Sequence, residues 1–456
     1  MLKETTVILA KDPDRVHRVN ANSFQQNAIT TVNGWQYAAF YTDAINGEGP
    51  GICHVNVSRR MICASDVPSP SQTWVNLALD DYNQSVDDGH NTISIGVCKG
   101  DGTIHLAFDH HCSPLRFRIS GLGAAAVSAE SWDISLFSLT LNALPGIPQS
   151  DLMKEVTYPR FMNIDDDLVL TYRIGQAGLG SDVLYRYSSV THAYTYIGQH
   201  LTGVSNSPYI NGIDYRKSRL HISWCYRNFV PFLSSVKPNA HKQQAGPNGP
   251  ENNSDLCYAY SDDLGCTWKS SNGNILAKTG IDDDSHSERT IKPGASGARI
   301  YEIPMGSGIL NQEAQTADWE GRFLVLNREN RSGEERWMLY CRDEDGKWAK
   351  TEVPAMQCTS LPTETGSRGS ICVDRANNVY LILPGNLDSS LSIMKGRMID
   401  GGWTFQTIWT RDGFDGEPLV DAQRLEISNT LSVFTRTNRK ADGRRDVVVM
   451  DFVLPE

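Results

Sequence analysis

Apolar residues in this chain alternate with polar ones at a period of two far more often than they recur at helical spacing, which predicts β-strands. The clearest stretch runs from Thr92 to Asp109. Ile93, Ile95 and Val97 alternate with small or polar residues, Lys99-Gly100-Asp101-Gly102 supplies a turn, and Ile104, Leu106 and Phe108 alternate again. This is the grammar of a β-hairpin. It recurs from Ala28 to Tyr41, turning at Asn33-Gly34, and from Phe161 to Arg173, turning at Asp165-Asp166-Asp167. Gly212 to Trp224 turns near Arg216-Lys217-Ser218, Ala314 to Asn327 at Glu320-Gly321, and Ser370 to Leu383 at Ala376-Asn377-Asn378. Ala422 to Thr435 is read the same way, with a turn near Ser428-Asn429. Second strand pairs lie between them, such as Val183-Leu184-Tyr185-Arg186-Tyr187 and Trp337-Met338-Leu339-Tyr340.

Seven units of about four strands, spaced about 50–65 residues apart, predict an all-β fold. The expected architecture is a seven-bladed β-propeller of four-stranded antiparallel blades, one domain over residues 1–456. One wider gap holds the polar stretch Lys237 to Ser254, read as a loop insertion. Thr6 to Leu9 is expected beside Val447 to Phe452, closing the ring and removing free strand edges. Ser261-Asp262-Asp263-Leu264-Gly265-Cys266-Thr267-Trp268 fits S-x-D-x-G-x-T-W, the Asp box of sialidase-like propellers. Its Ser and Asp can cap turn amides while its Trp packs between strands. The box marks blades and carries no chemistry.

Composition narrows the function. Against 42 Lys and Arg stand 53 Asp and Glu, a net charge of -11, which argues against a dedicated nucleic-acid binder. Charged residues at 21% and hydrophobic ones at 40% indicate a globular chain. No stretch approaches the roughly 20 apolar residues of a membrane helix. The start, Met1 to Thr6, has no signal-peptide core, but sequons at Asn56, Asn83, Asn252 and Asn330 favour an extracellular protein, expected to be a monomer. Ten cysteines are too few to hold the fold together, though Cys53/Cys63 and Cys257/Cys266 are spaced to allow a bridge.

If strands run from the axis outward, residues before the first strand and after the second gather on one face. In unit two these are Asp87-Asp88-Gly89-His90-Asn91 and Asp109-His110-His111. Unit three gives Tyr158-Pro159-Arg160 and Tyr172-Arg173, and unit four Ser207-Pro208-Tyr209 and Tyr226-Arg227. Later units add Asn311, Gln312, Arg328 and Arg368. A single propeller histidine is ordinarily a satisfied structural residue, the reading given to His54, His105, His192, His221 and His241. Asp165 to Asp167 and Asp282 to Asp284 read as turn caps. The concentration of His, Tyr and Arg in three units is what points to function.

An Arg pair can fix a carboxylate by bidentate hydrogen bonds. A neutral His or ionised Tyr can take a proton, and a protonated Tyr or His can deliver one. No carboxylate pair stands out at these positions, so a retaining or inverting glycosidase fits less well. The set suits β-elimination of a uronate, in which the carboxylate is neutralised, the C5 proton removed and the departing C4 oxygen protonated.

D-G-H-N ahead of a strand, F-D-H-H with its first His twenty positions later, then T-Y-P-R, Y-R and S-P-Y, resembles the neuraminidase-repeat propeller lyases. These include ulvan lyases and fungal L-rhamnose-α-1,4-D-glucuronate lyases acting on gum arabic side chains. The resemblance implies His90 and His110 as the paired histidines, with His110 the favoured acid/base residue. It implies Tyr158 or Tyr209 as the proton-transfer tyrosine, Arg173 as the carboxylate-neutralising group, and Asn91, His111 and Arg227 as supporting substrate contacts. It further implies an acidic polysaccharide substrate containing rhamnose and glucuronic acid, with release of L-rhamnose favoured over internal cleavage of ulvan. The chemistry requires no cofactor. Some members of that group hold a structural metal, but Cys341, Cys358 and His286 match no strong metal signature, and the metal stays unassigned. A sialidase-like hydrolase is weakened because Tyr301-Glu302-Ile303-Pro304 carries Glu where the F-R-I-P segment carries Arg. A lectin or other non-catalytic propeller would be expected to repeat its pocket around the ring.

Overall fold

The computed structural model describes residues 2–44, 51–62, 73–229, 252–279, 288–330, 335–354, 368–385 and 389–455. Seven antiparallel sheets succeed one another and form the blades of a β-propeller. Their inner strands are Ile29–Val32, Ile93–Val97, Val156–Ile164, Asn206–Arg216, Ala314–Ala317, Ser370–Val373 and Leu419–Val420. Six of the expected hairpins form with the expected turns, closing at Val32↔Trp35, Val97↔Ile104, Ile164↔Asp167, Arg216↔Arg219, Ala317↔Phe323 and Val373↔Val379. The ring closes as expected, because Lys3–Lys11 pairs antiparallel with Asp446–Val453 as the outer strand of the seventh blade.

The seventh hairpin is a correction. Ala422–Ser428 is an α-helix, and the inner strand before it is only Leu419–Val420. Ala422-Gln423-Arg424-Leu425-Glu426 are good helix formers, Asp421 caps the Arg424 amide, and Asn429 ends the helix in a left-handed turn. The Asp421 carboxylate also accepts from the Thr31 amide, the Thr31 hydroxyl and the Gln36 amide, tying blade one to blade seven.

Apolar layers between blades hold the ring. Ile164, Val169 and Leu184 of blade three pack with Ile210, Leu220, Ile222 and Trp224 of blade four. Each fully buried aliphatic side chain of this kind contributes about 1.5–3 kcal/mol. Near the axis the inner strands of blades two and three approach so closely that a Cβ at Gly96 would stand 2.6 Å from the Phe161 ring. In the Asp box, the Ser261 hydroxyl accepts from the Gly265 amide at 2.8 Å, Asp263 accepts from the Thr267 amide at 2.7 Å, and Trp268 is buried.

Cys53, Cys257 and Cys266 carry free thiols, and Cys63 lies outside the described residues. Asn56 and Asn252 are buried, so these two sequons are closed to glycosylation in the folded chain, whereas Asn83 is exposed. Of the predicted insertion, residues 237–251 lie outside the described residues, and strand Asn253–Ser261 takes up its end. Among the described residues, no helix is long and apolar enough to cross a membrane.

Candidate active site

The lead-in to the inner strand of blade two is locked on both sides. Asp87 accepts from the amides of Val16 and His17, and Asn22 donates to the Gly89 carbonyl. Asp88 is thereby presented at the mouth of the ring with both oxygens engaged. One accepts from the His90 amide at 2.9 Å and meets His90 Nδ1 at 2.5 Å, while the other meets His111 Nδ1 at 2.7 Å. The two imidazoles stack with centroids 3.8 Å apart and planes 15° apart. Phe24 stacks on the other face of His90 at 4.9 Å.

Blade three adds Tyr158, whose ring lies 5.8 Å from His90 and 5.7 Å from Tyr209 of blade four. Tyr158 has φ 59, in the left-handed region, where the register of its strand slips between Thr157 and Arg160. A residue ahead of proline with a bulky side chain adopts this conformation at a cost, and such strain gathers at functional sites. Arg173 donates to the Tyr209 hydroxyl at 2.7 Å, to Thr157 Oγ1 at 2.9 Å and to the Cys112 sulfur at 3.1 Å. Arg227 donates to the same Tyr209 hydroxyl at 3.4 Å.

Charge states follow from these neighbours. Burial favours protonation of Asp88, but His90 and His111 outweigh it and hold the carboxyl far below its usual range. Burial, then the charge of His90, pulls His111 down to about 3, so its ring is neutral near pH 7. Donation of Nδ1–H to Asp88 then leaves the lone pair on Nε2. The two phenols are driven apart. Burial and then Tyr209 push Tyr158 far up, keeping it protonated. Burial also acts to raise Tyr209, yet Arg173 and Arg227 overcome it and bring the phenol below its ordinary value. Burial alone would weaken the Arg173 cation, but Tyr209, Cys112 and Tyr158 keep it firmly charged.

His90, His111, Tyr158, Tyr209, Arg173 and Arg227 thus form one cluster. His110 does not join it. It is 1% exposed, and its Nε2 accepts the Arg116 amide at 2.8 Å. Left-handed backbone at Asp109 and Cys112 turns the exit so that His111 faces His90 in its place. Asn91 is likewise structural: it is buried and donates to Asp109 at 2.6 Å, tying the lead-in of blade two to its exit. Asp88 stood among the entry residues of unit two but was given no role, and Phe24 was missed, because it comes from the crossing segment before blade one and gives no local signal.

The ligand atoms of Asp88, His90 and His111 lie within 4.8 Å of one another. Both Nδ1 atoms are turned onto the Asp88 oxygens, so the three groups satisfy one another. Of the residues weighed as metal ligands, Cys341 sits buried in a strand of blade five, and Cys358 and His286 lie outside the described residues.

Comparison with known proteins places the fold. The polysaccharide lyase Uly1 superposes with a TM-score of 0.71, covering 99% of both chains at 16% identity. The PL25 ulvan lyase superposes at 0.63, covering 97% of this chain and 95% of its own at 12% identity, and a similar match is made by that lyase bound to GlcA(1-4)Rha3S. These likenesses are of fold. In sequence, the long isoform of ulvan lyase from Pseudoalteromonas sp. (strain PLSV) is 24% identical over 236 residues, 44% of this chain and 22% of that protein. A profile described as "BNR repeat-containing family member" matches residues 35–356. With that match spanning most of the blades, the chain belongs to the BNR repeat-containing family.

Proposed function

We propose that the protein is a polysaccharide lyase that cleaves a rhamnosyl–glucuronate linkage by β-elimination. The observation that carries this reading is the pair of neighbouring phenols whose hold on the proton is shifted in opposite directions beside two guanidinium groups. Two titratable groups pushed apart by their surroundings are the mark of an acid and a base. Tyr209, biased towards phenolate, takes the C5 proton; His111, pulled down to about 3, is too weak a base to compete. The C5–H electrons form the C4–C5 double bond, the C4–O4 bond breaks, and Tyr158 protonates the leaving oxygen. As the proton reaches Tyr209 its negative charge vanishes. Arg173 and Arg227 then face the charge growing on the uronate carboxylate, the stabilisation this weak carbon acid needs most. His90 and His111, steadied by Asp88, line the approach to it.

The ulvan lyases named above support rhamnosyl–glucuronate chemistry in general. Within it, release of L-rhamnose from gum arabic side chains is the finer reading and internal cleavage of ulvan the alternative. Incubation with each polymer decides. A 4,5-unsaturated uronate chromophore with free rhamnose from gum arabic supports the finer reading, and chromophore with shortened chains from ulvan supports the alternative. Sugar release without the chromophore would mean hydrolysis, and binding without products a lectin; either result overturns the proposal. An extracellular monomer remains the form in which such an enzyme would meet its substrate.

A further inference from the structure

Between the catalytic mouth and the outer edge of blade seven, the segment from Asp12 to Asn27 crosses the same face. Most cations on this route are engaged. Arg436 binds Asp12 at 2.8 Å and Asp415 at 2.7 Å, Arg445 binds Asp415 at 2.8 Å, Arg439 binds Asp14 at 2.8 Å, and Arg368 binds Glu417 and Asn311. Arg18 differs. Its Nε and Nη1 are closed off from solvent and meet no acceptor, while the residue as a whole stays partly exposed. The acids whose charge it feels, Glu417, Asp415 and Asp12, are held by the Ser23 amide and Arg368, by Arg436 and Arg445, and by Asn20 and Arg436. Burial, followed by the like charge of Arg436, pulls Arg18 down to about 10. A shielded guanidinium without a hydrogen-bonded anion is costly to keep.

Its position is set by the same contacts that set the catalytic loop. The Arg18 carbonyl accepts from Asn22, which also donates to the Gly89 carbonyl, and a Cβ at Gly89 would lie 3.0 Å from the Arg18 oxygen. With consecutive Cα atoms 3.8 Å apart, Arg18 Cα lies no more than about 10 Å from that of His90, a span of at most roughly two sugar rings. We infer that Arg18 forms a second anion-binding position, which takes a sulfate ester or a further uronate carboxylate of the polysaccharide one to two sugars from the scissile bond. This rests on the lyase reading for its register, but not for its binding.

The test compares wild type with Arg18→Ala and Arg18→Lys on ulvan, on chemically desulfated ulvan and on an oligosaccharide with a single uronate. Binding is read by affinity electrophoresis and turnover by the unsaturated-uronate chromophore. Arg18→Ala should raise KM about tenfold on ulvan with kcat little changed, with Arg18→Lys intermediate. A penalty that disappears on desulfated polymer assigns a sulfate; one that persists there but disappears on the single-uronate substrate assigns a carboxylate. Because the guanidinium makes no hydrogen bond in the fold and its burial and the like charge of Arg436 work against it, the melting temperature of Arg18→Ala should not fall. Equal KM on all three substrates, or a lowered melting temperature accounting for the loss, overturns the inference. If neither these substrates nor gum arabic is cleaved but Arg18→Ala still weakens retention by ulvan, the lyase reading fails and the anion position stands.

Discussion

Tyr209 and Tyr158 are chemically identical and lie in neighbouring blades, yet their surroundings assign them different tasks. Tyr209→Phe and Tyr158→Phe should each lower kcat by about 10²–10⁴-fold with the fold unchanged, checked by steady-state rates and circular dichroism. The pH profile carries the sharper expectation. Arg173 and Arg227 lower the Tyr209 pKa, so activity should climb with pH as the phenolate forms. Arg227→Gln removes one of these charges, and the rising limb should move to higher pH; an unmoved limb would take the base role away from Tyr209. The adjacent histidines give a second contrast. His111→Ala should remove most activity, whereas His110→Ala should cost mainly stability, about 2 kcal/mol by urea unfolding, because that ring is enclosed and bonded to the Arg116 amide. The sequence revealed that histidines gather after blade two, but not which of the two faces the axis. That choice depends on left-handed backbone at Asp109 and Cys112, neither of them glycine, so no residue type announced it.

At the scale of the element, strands with tight polar turns were readable because alternation and turn chemistry agree. The seventh inner strand was not, since two residues are too few to show a period and the helix after it is short. Its caps, Asp421 and Asn429, were nonetheless visible. Asp421→Ala removes a helix cap together with the clasp on Thr31 and Gln36 in blade one. A loss of about 3 kcal/mol is expected in chemical denaturation, larger than a cap alone explains. Asp421→Asn, which can retain some acceptors, should lose less.

For the whole molecule, seven blades and their closing strand could be read from repetition, because a blade cannot bury its faces without neighbours. The common mouth of blades two to four followed from that topology, while the distant contributions of Phe24 and Arg18 required knowing how the chain crosses to blade one. Removing Lys3–Lys11 should expose the edge of Asp446–Val453, lower the melting temperature by about 10 °C or more and promote self-association, measured by calorimetry and light scattering. A variant that melts like the intact chain would show that closure contributes little.

The pairing of Lys3–Lys11 with Asp446–Val453 also bears on how the molecule is made. Lys3–Lys11 is synthesised well before its partner, so it must wait, unpaired, through synthesis of every intervening blade. A circularly permuted chain opened between blades three and four, with a short turn joining Val453 to Lys3, would make this pairing local, and should refold faster from denaturant while ending in the same ring.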